Sequence, residues 1–192
     1  MEQARPVAAD VTQNVDITEP SRGRSWVLGD NIDTDVLAPG QYIKLPMEEL
    51  AQHCLELVDA EFASQVKAGD IVVAGSNFGI GSSREQAAQA LKVLGVAAVV
   101  AESFGGIFFR NAINLGLPVF TPAKSASSAA ADFHLSDIKA GEPISLDLQQ
   151  AMLVCPESDI RIELQALPDF LMDMLRAGGL VAVLEKRFNP QS

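Results

Sequence analysis

The sequence predicts an α/β fold built on a parallel sheet, and three observations carry that expectation. Short apolar runs at 71–73, 96–101 and 117–120 have the length and β-branched content of buried strands. Between them, Ala87, Ala90, Leu91 and Leu94, and then residues 107–115, place apolar side chains at helical spacing. The first two of these strands each reach their helix through a glycine-rich junction, Gly75 to Gly81 and Gly105-Gly106. Strands alternating with short helices form βαβ crossovers, and those force parallel pairing.

Residues 1–22 are polar, contain Pro6 and Pro20, and lack periodicity; they read as a flexible N-terminal tail. Residues 23–192 then make a single domain, large enough to bury about 70% of its unfolded surface. Residues 24–28 form a strand ending at Gly29. Next comes Gly29-Asp30-Asn31-Ile32-Asp33-Thr34-Asp35. Its three aspartates suggest calcium, but an EF-hand loop needs oxygen ligands at alternate positions, and Ile32 breaks that pattern. Asx turns and caps, or a functional loop, both account for it. Pro39-Gly40 signals a turn. Pro46 opens a helix with Glu48 and Glu49 near its positive end. Leu50, Cys54, Leu55 and Val58 form its apolar stripe, which makes Cys54 a core residue and leaves His53 exposed.

The central stretch is Gly75-Ser76-Asn77-Phe78-Gly79-Ile80-Gly81-Ser82-Ser83-Arg84-Glu85-Gln86. Its glycines permit sharp turns and close approach to a ligand. Ser82 with Glu85 has the spacing of a capping box, which predicts a helix from Ser83 and puts Arg84 in its first turn. A cation there opposes the helix dipole. Hydroxyls, free N–H groups and that arginine suggest a site for a carboxylate or phosphate. An ordinary strand–loop–helix with a solvated arginine accounts for the same residues. The third glycine of a dinucleotide fingerprint is missing, and neither a P-loop lysine nor a G-x-S-x-G elbow is present.

Beyond this helix, Gly95 is a C-terminal cap and 96–101 a strand. Residues 102–106 form a second glycine-rich junction. The helix 107–115 ends at Gly116, and 117–120 form the third short strand. Residues 125–131 are a loop or weak helix, and His134 is isolated. Residues 144–148 and 152–155 read as an antiparallel pair that includes Cys155. Residues 168–177 form an amphipathic helix (Leu171, Met174, Leu175) stopped by Gly178-Gly179, and 180–184 a last strand or helical turn.

A net charge of −11 argues against nucleic acid and anionic membrane surfaces as partners. No 18-residue apolar run is present to span a bilayer. Met1-Glu2-Gln3-Ala4-Arg5 opens neither a basic n-region nor an apolar h-region, so no secretory signal is expected. Two distant cysteines, Cys54 and Cys155, imply no disulfide framework. The expected location is cytoplasmic.

Four motifs occur in a telling order: the Asp-rich loop 29–35, the block Asn77 to Glu85, Ala101-Glu102-Ser103-Phe104 with Asn111-Ala112-Ile113-Asn114, and Ala177-Gly178-Gly179-Leu180. The series, over residues 24–186, resembles the small-subunit family of 3-isopropylmalate dehydratase within the aconitase superfamily. The resemblance implies a swivelling β/β/α domain that closes over a large subunit carrying a [4Fe–4S] cluster. It implies Ser82 as catalytic base and Ser83 with Arg84 as carboxylate ligands. Asp33, Thr34 and Asp35 would shape the site, and the segment with Tyr42, Lys44 and Leu45 would select the substrate. Many relatives have Cys at the place of Ile80 and His at that of Gln86; Ile80 reads as a packing residue, while Gln86 removes a titratable group.

The chemistry agrees. A cluster needs several cysteine thiolates, and two scattered ones do not hold it, so no metal site is expected on this chain. The implied activity is a hydro-lyase that dehydrates and rehydrates a 2-hydroxy di- or tricarboxylate, such as isopropylmalate in leucine biosynthesis. Ile43 and Leu45 suit an alkyl group. Lys44 suits a further carboxylate, as in homoaconitase, and another alkylmalate dehydratase is a related alternative. From a different class, a non-catalytic carboxylate-binding or regulatory module needs neither iron nor a partner.

Overall fold

The structure, a computed structural model, describes residues 19–123 and 134–188. Most of the expected tail and the 125–131 segment lie outside the described residues. Among those described, the strands are β1 (Ser21–Leu28), β2 (Ile71–Ala74), β3 (Ala98–Ala101), β4 (Val119–Phe120), β5 (Pro143–Asp147), β6 (Met152–Cys155) and β7 (Ile160–Glu163). They form one sheet in the order β4-β3-β2-β1-β5-β6-β7.

β1 joins two different architectures. Its second half, from Ser25, runs parallel to β2, while its first half, from Ser21, runs antiparallel to β5. The parallel side follows from the apolar runs: β2 and β3 are buried along their whole length, as strands covered on both faces must be. The antiparallel side alternates, with Ile160 and Ile162 inward and Arg161 and Glu163 outward in β7. The sequence-based expectations omit that strand, although strict alternation marks it. The sheet curls until its two edges meet at a bridge between Pro122 and Leu164. Ala123 N donates to Glu163 O (2.8 Å), and Gln165 N donates to Thr121 O (2.8 Å).

The helices are α1 (Thr34–Leu37), α2 (Met47–Ala51), α3 (Phe62–Gln65), α4 (Glu85–Val93), α5 (Gly106–Leu115), α6 (Asp169–Ala177) and α7 (Leu180–Phe188). The expected helix after Pro46 stops at Ala51. Leu55 turns to φ 62° so that its N–H can reach Val36 O at 2.9 Å. Val58 is therefore exposed rather than part of the stripe. Residues 180–184 resolve as helix, and the turn before them packs backbone to backbone: a Cβ on Gly179 would meet Asn114 O at 2.5 Å.

Both thiols are buried. Burial pushes the Cys54 thiol far above its ordinary range. Burial, with the Glu142 charge second, pushes Cys155 up to about 12. A raised pKa leaves almost no thiolate at pH 8, and the thiolate is the reactive form. Iodoacetamide at that pH is therefore expected to label neither cysteine in the folded chain and both after denaturation. Native labelling of either would show that its packing is wrong.

Candidate functional site

β1 and β2 are parallel neighbours, so the loops that leave them emerge at the same, C-terminal end of the strands, where open α/β sheets place their ligands. The two loops clasp each other. Asn31 N donates to Ser76 O (2.8 Å), Gly79 N to Ile32 O (2.7 Å) and Thr34 N to Ile80 O (2.9 Å). Asn31 and Asn77 both take left-handed backbone angles, and Asn77 Nδ2 donates to Asn31 Oδ1 at 2.9 Å. The asparagine pair was missed from the sequence; Asn beside glycine-rich turns was the available signal.

The aspartates divide by role. Asp30 Oδ1 accepts from Ser76 N (2.7 Å), and Asp33 Oδ1 accepts from Val36 N (2.8 Å) to cap α1. Both are scaffold carboxylates: Asp33 is a local helix cap, and Asp30 ties its loop to the neighbouring one across 46 positions. Among the described residues, no three His, Cys, Asp or Glu side chains gather as metal ligands. Asp35 instead pairs with Arg84, at 2.5 Å from Nη1.

Ser82 is not the cap expected of it. α4 begins at Glu85 with Arg84 in the capping position. Ser82 is drawn away by Thr34: its N–H donates to Thr34 Oγ1 (3.1 Å), and the two hydroxyl oxygens are 3.0 Å apart. Gly81, at φ 115°, lets the chain pass this close, for a Cβ there would lie 3.0 Å from Thr34 Oγ1. Ser82 and Ser83 are both exposed. Arg84 is mostly covered, and its Nη1 also donates to the carbonyls of Ala38 (2.6 Å) and Thr34 (3.4 Å). Among the described residues its side-chain bonds all leave from Nη1, and its Nη2 edge makes none.

The Tyr42 segment sits beside this edge, since a Cβ on Gly40 would lie 3.8 Å from Arg84 Nη2. Lys44 and Leu45 are exposed. His53, expected to be exposed, is half-buried under the Tyr42 ring. Ile80, expected to pack, is also exposed and lies on the open side of the glycine loop. Gln86 is half-buried in the first turn of α4. On the other flank of the loops, Asp30, Gly75 and Glu102 line a cleft of 370 Å³ with His134.

Residues 27–123 match the aconitase C-terminal domain family. The chain is 45% identical over 161 residues to the 3-isopropylmalate dehydratase small subunit of Halothermothrix orenii, covering 83% of this chain and 92% of that one. It is also 45% identical over 161 residues to the methanogen homoaconitase small subunit of Methanothermobacter thermautotrophicus, covering 83% and 88%. The crystal structure of 3-isopropylmalate dehydratase (leuD) from Methanocaldococcus jannaschii superposes with a TM-score of 0.80 at 39% identity, over 90% of this chain and 98% of that one.

Proposed function

This chain belongs to the aconitase C-terminal domain family and, within it, to the dehydratase small subunits, and from that premise we propose that it supplies half of the active site of a hydro-lyase acting on 2-isopropylmalate. The reaction is the stereospecific exchange of 2- and 3-isopropylmalate in leucine biosynthesis, in the cytoplasm, by loss and return of water. The observation that supports the site is the convergence of Ser82, Thr34 and Arg84 in the loops beyond the C-terminal ends of β1 and β2. Family membership stands against a purely non-catalytic binding module.

Each residue has work that its geometry fits. Ser82 Oγ takes the proton from the carbon α to a carboxylate. Thr34 Oγ1 already accepts the Ser82 N–H, so its own hydrogen is free to stabilise the Ser82 alkoxide, the form that accepts the substrate proton and is neutralised by it. Arg84 holds the carboxylate through its Nη2 edge, with Ser83 beside it. Asp35 fixes the guanidinium, and Asp33 and Thr34 shape the loop. Two buried cysteines on separate elements do not fit a [4Fe–4S] cluster, which we assign to a large subunit. When bound there, the cluster supplies the electrophile for the departing hydroxyl.

The test is reconstitution. The isolated chain is expected to take up no iron–sulfur absorbance and to turn over nothing, and to become active with a cluster-bearing large subunit. Activity of the chain alone would overturn the reading.

The segment with Tyr42, Lys44 and Leu45 is read as facing the variable group of the substrate. Leu45 and Ile43 suit a branched alkyl chain, each buried methylene contributing about 0.8 kcal/mol. The homoaconitase relative and exposed Lys44 favour a tricarboxylate as second reading. Lys44→Met is expected to leave kcat/KM on isopropylmalate near the wild-type value. If the wild type prefers a tricarboxylate and only that activity falls in the mutant, the second reading holds instead.

A further inference from the structure

Tyr42 is the chain's one tyrosine, and it ends the 3-10 turn Gly40–Tyr42. Its ring lies flat on the imidazole of His53, with centroids 3.5 Å apart and planes 13° from parallel. At the edge of that imidazole, His53 Nδ1–H donates to Glu56 Oε2 at 2.7 Å. The imidazole is thus held by its face and by its edge. It sits on the turns after α2, and those turns are tied to α1 by Leu55 N donating to Val36 O at 2.9 Å.

The same geometry constrains the chain beyond Tyr42. Tyr42 N donates to Pro39 O (2.9 Å), and Leu45 N donates to Tyr42 O (2.9 Å), so the ring and the backbone to Leu45 move together. The segment is pinned at Ala38 by Arg84 and at Tyr42 by His53. Lys44 and Leu45 hang beyond the second pin with exposed side chains. The Leu45 N–H bond to Tyr42 O extends the second pin to these two residues and sets the height at which they are presented, and such preorganisation is spent on affinity rather than on the chemical step.

We propose that His53 is a positioning residue for substrate selection, acting through the stacked ring of Tyr42 on Lys44 and Leu45. The proposal rests on the reading of that segment as facing the variable group of the substrate. It differs from mere packing in what it moves: packing alone affects stability, whereas positioning affects KM and the preference between substrates.

Two measurements test it. With a single tyrosine, fluorotyrosine labelling gives one resonance for the free chain, and His53→Ala is expected to shift it by removing the stacked ring. In the complex with the large subunit, His53→Ala is expected to raise KM for isopropylmalate about three- to tenfold, the range of one aromatic pair. Its kcat should stay within about twofold, and the ratio of kcat/KM between isopropylmalate and a tricarboxylate should change. His53→Phe, which keeps a stacked ring, should restore both KM and ratio. An active wild type with an unmoved tyrosine resonance in His53→Ala, or with unaltered KM and preference, overturns this proposal alone. So does a loss that falls on kcat, or one that His53→Phe does not rescue. A wild-type complex that turns over neither substrate overturns the functional reading first, and the proposal with it.

Discussion

Ser82→Ala is expected to lower kcat of the assembled enzyme by about 10²- to 10⁴-fold, the loss typical of a removed general base. The fold should survive. Ser82 is exposed, and among the described residues its hydroxyl makes one interaction, with Thr34. Losing a hydrogen bond of this kind costs about 1 kcal/mol, against a domain stability of about 5–15 kcal/mol. Unfolding midpoint and assembly with the large subunit are the controls, and near-normal kcat in a well-assembled complex would remove the base assignment. Arg84→Lys should act differently, raising KM before it touches kcat. A single ammonium cannot keep the bonds to Ala38 O, Thr34 O and Asp35 while also offering a planar edge to a carboxylate.

Gly79→Ala is expected to be among the most damaging single methyl additions at the described residues. Gly79 has φ 71°, and a Cβ there would lie 2.2 Å from Phe108 Cγ and 2.4 Å from Phe108 Cβ. Phe108 has nowhere to retreat. It is fully buried, edge-on to Phe78 at 5.2 Å and stacked with Phe104 at 6.2 Å. Left-handed backbone strain and overpacking add, giving a loss of about 3 kcal/mol or more. For a domain of this size that lowers Tm by roughly 6–12 °C. Gly106→Ala is the matched control: nothing lies within 4 Å of its Cβ position, and it starts α5. It should leave stability unchanged or raise it by up to about 1 kcal/mol. Equal melting of Gly79→Ala and wild type would mean that the glycine loop does not pack on α5.

The parallel half of the fold was legible because its strands are buried on both faces, and that writes unbroken apolar runs into 71–73 and 96–101. The pairing of β1 with two partners of opposite sense was not legible, since alternation in one strand says nothing of which neighbours it finds. Among site residues, the glycine–serine–arginine block announced itself by composition. What the sequence hid was competition for hydroxyls. Ser82 and Glu85 have capping-box spacing, yet Thr34, 48 positions away, takes Ser82 instead. The half-buried position of His53 was hidden in the same way. Its partner Tyr42 lies on the preceding turn, and helical periodicity alone places His53 on the solvent side.

The double allegiance of β1 also sets a clock on biosynthesis. Its second half can pair once β2 has been made, but its first half waits for β5, whose Leu146 faces Ser21. At about 5–20 residues per second, that half-strand spends roughly 6–25 s as an open edge on the nascent chain. Open edges recruit other strands. The interval between ribosomal emergence of β2 and of β5 is therefore when this protein is most exposed to misassociation, and the bridge from Pro122 to Leu164 forms only after it has passed.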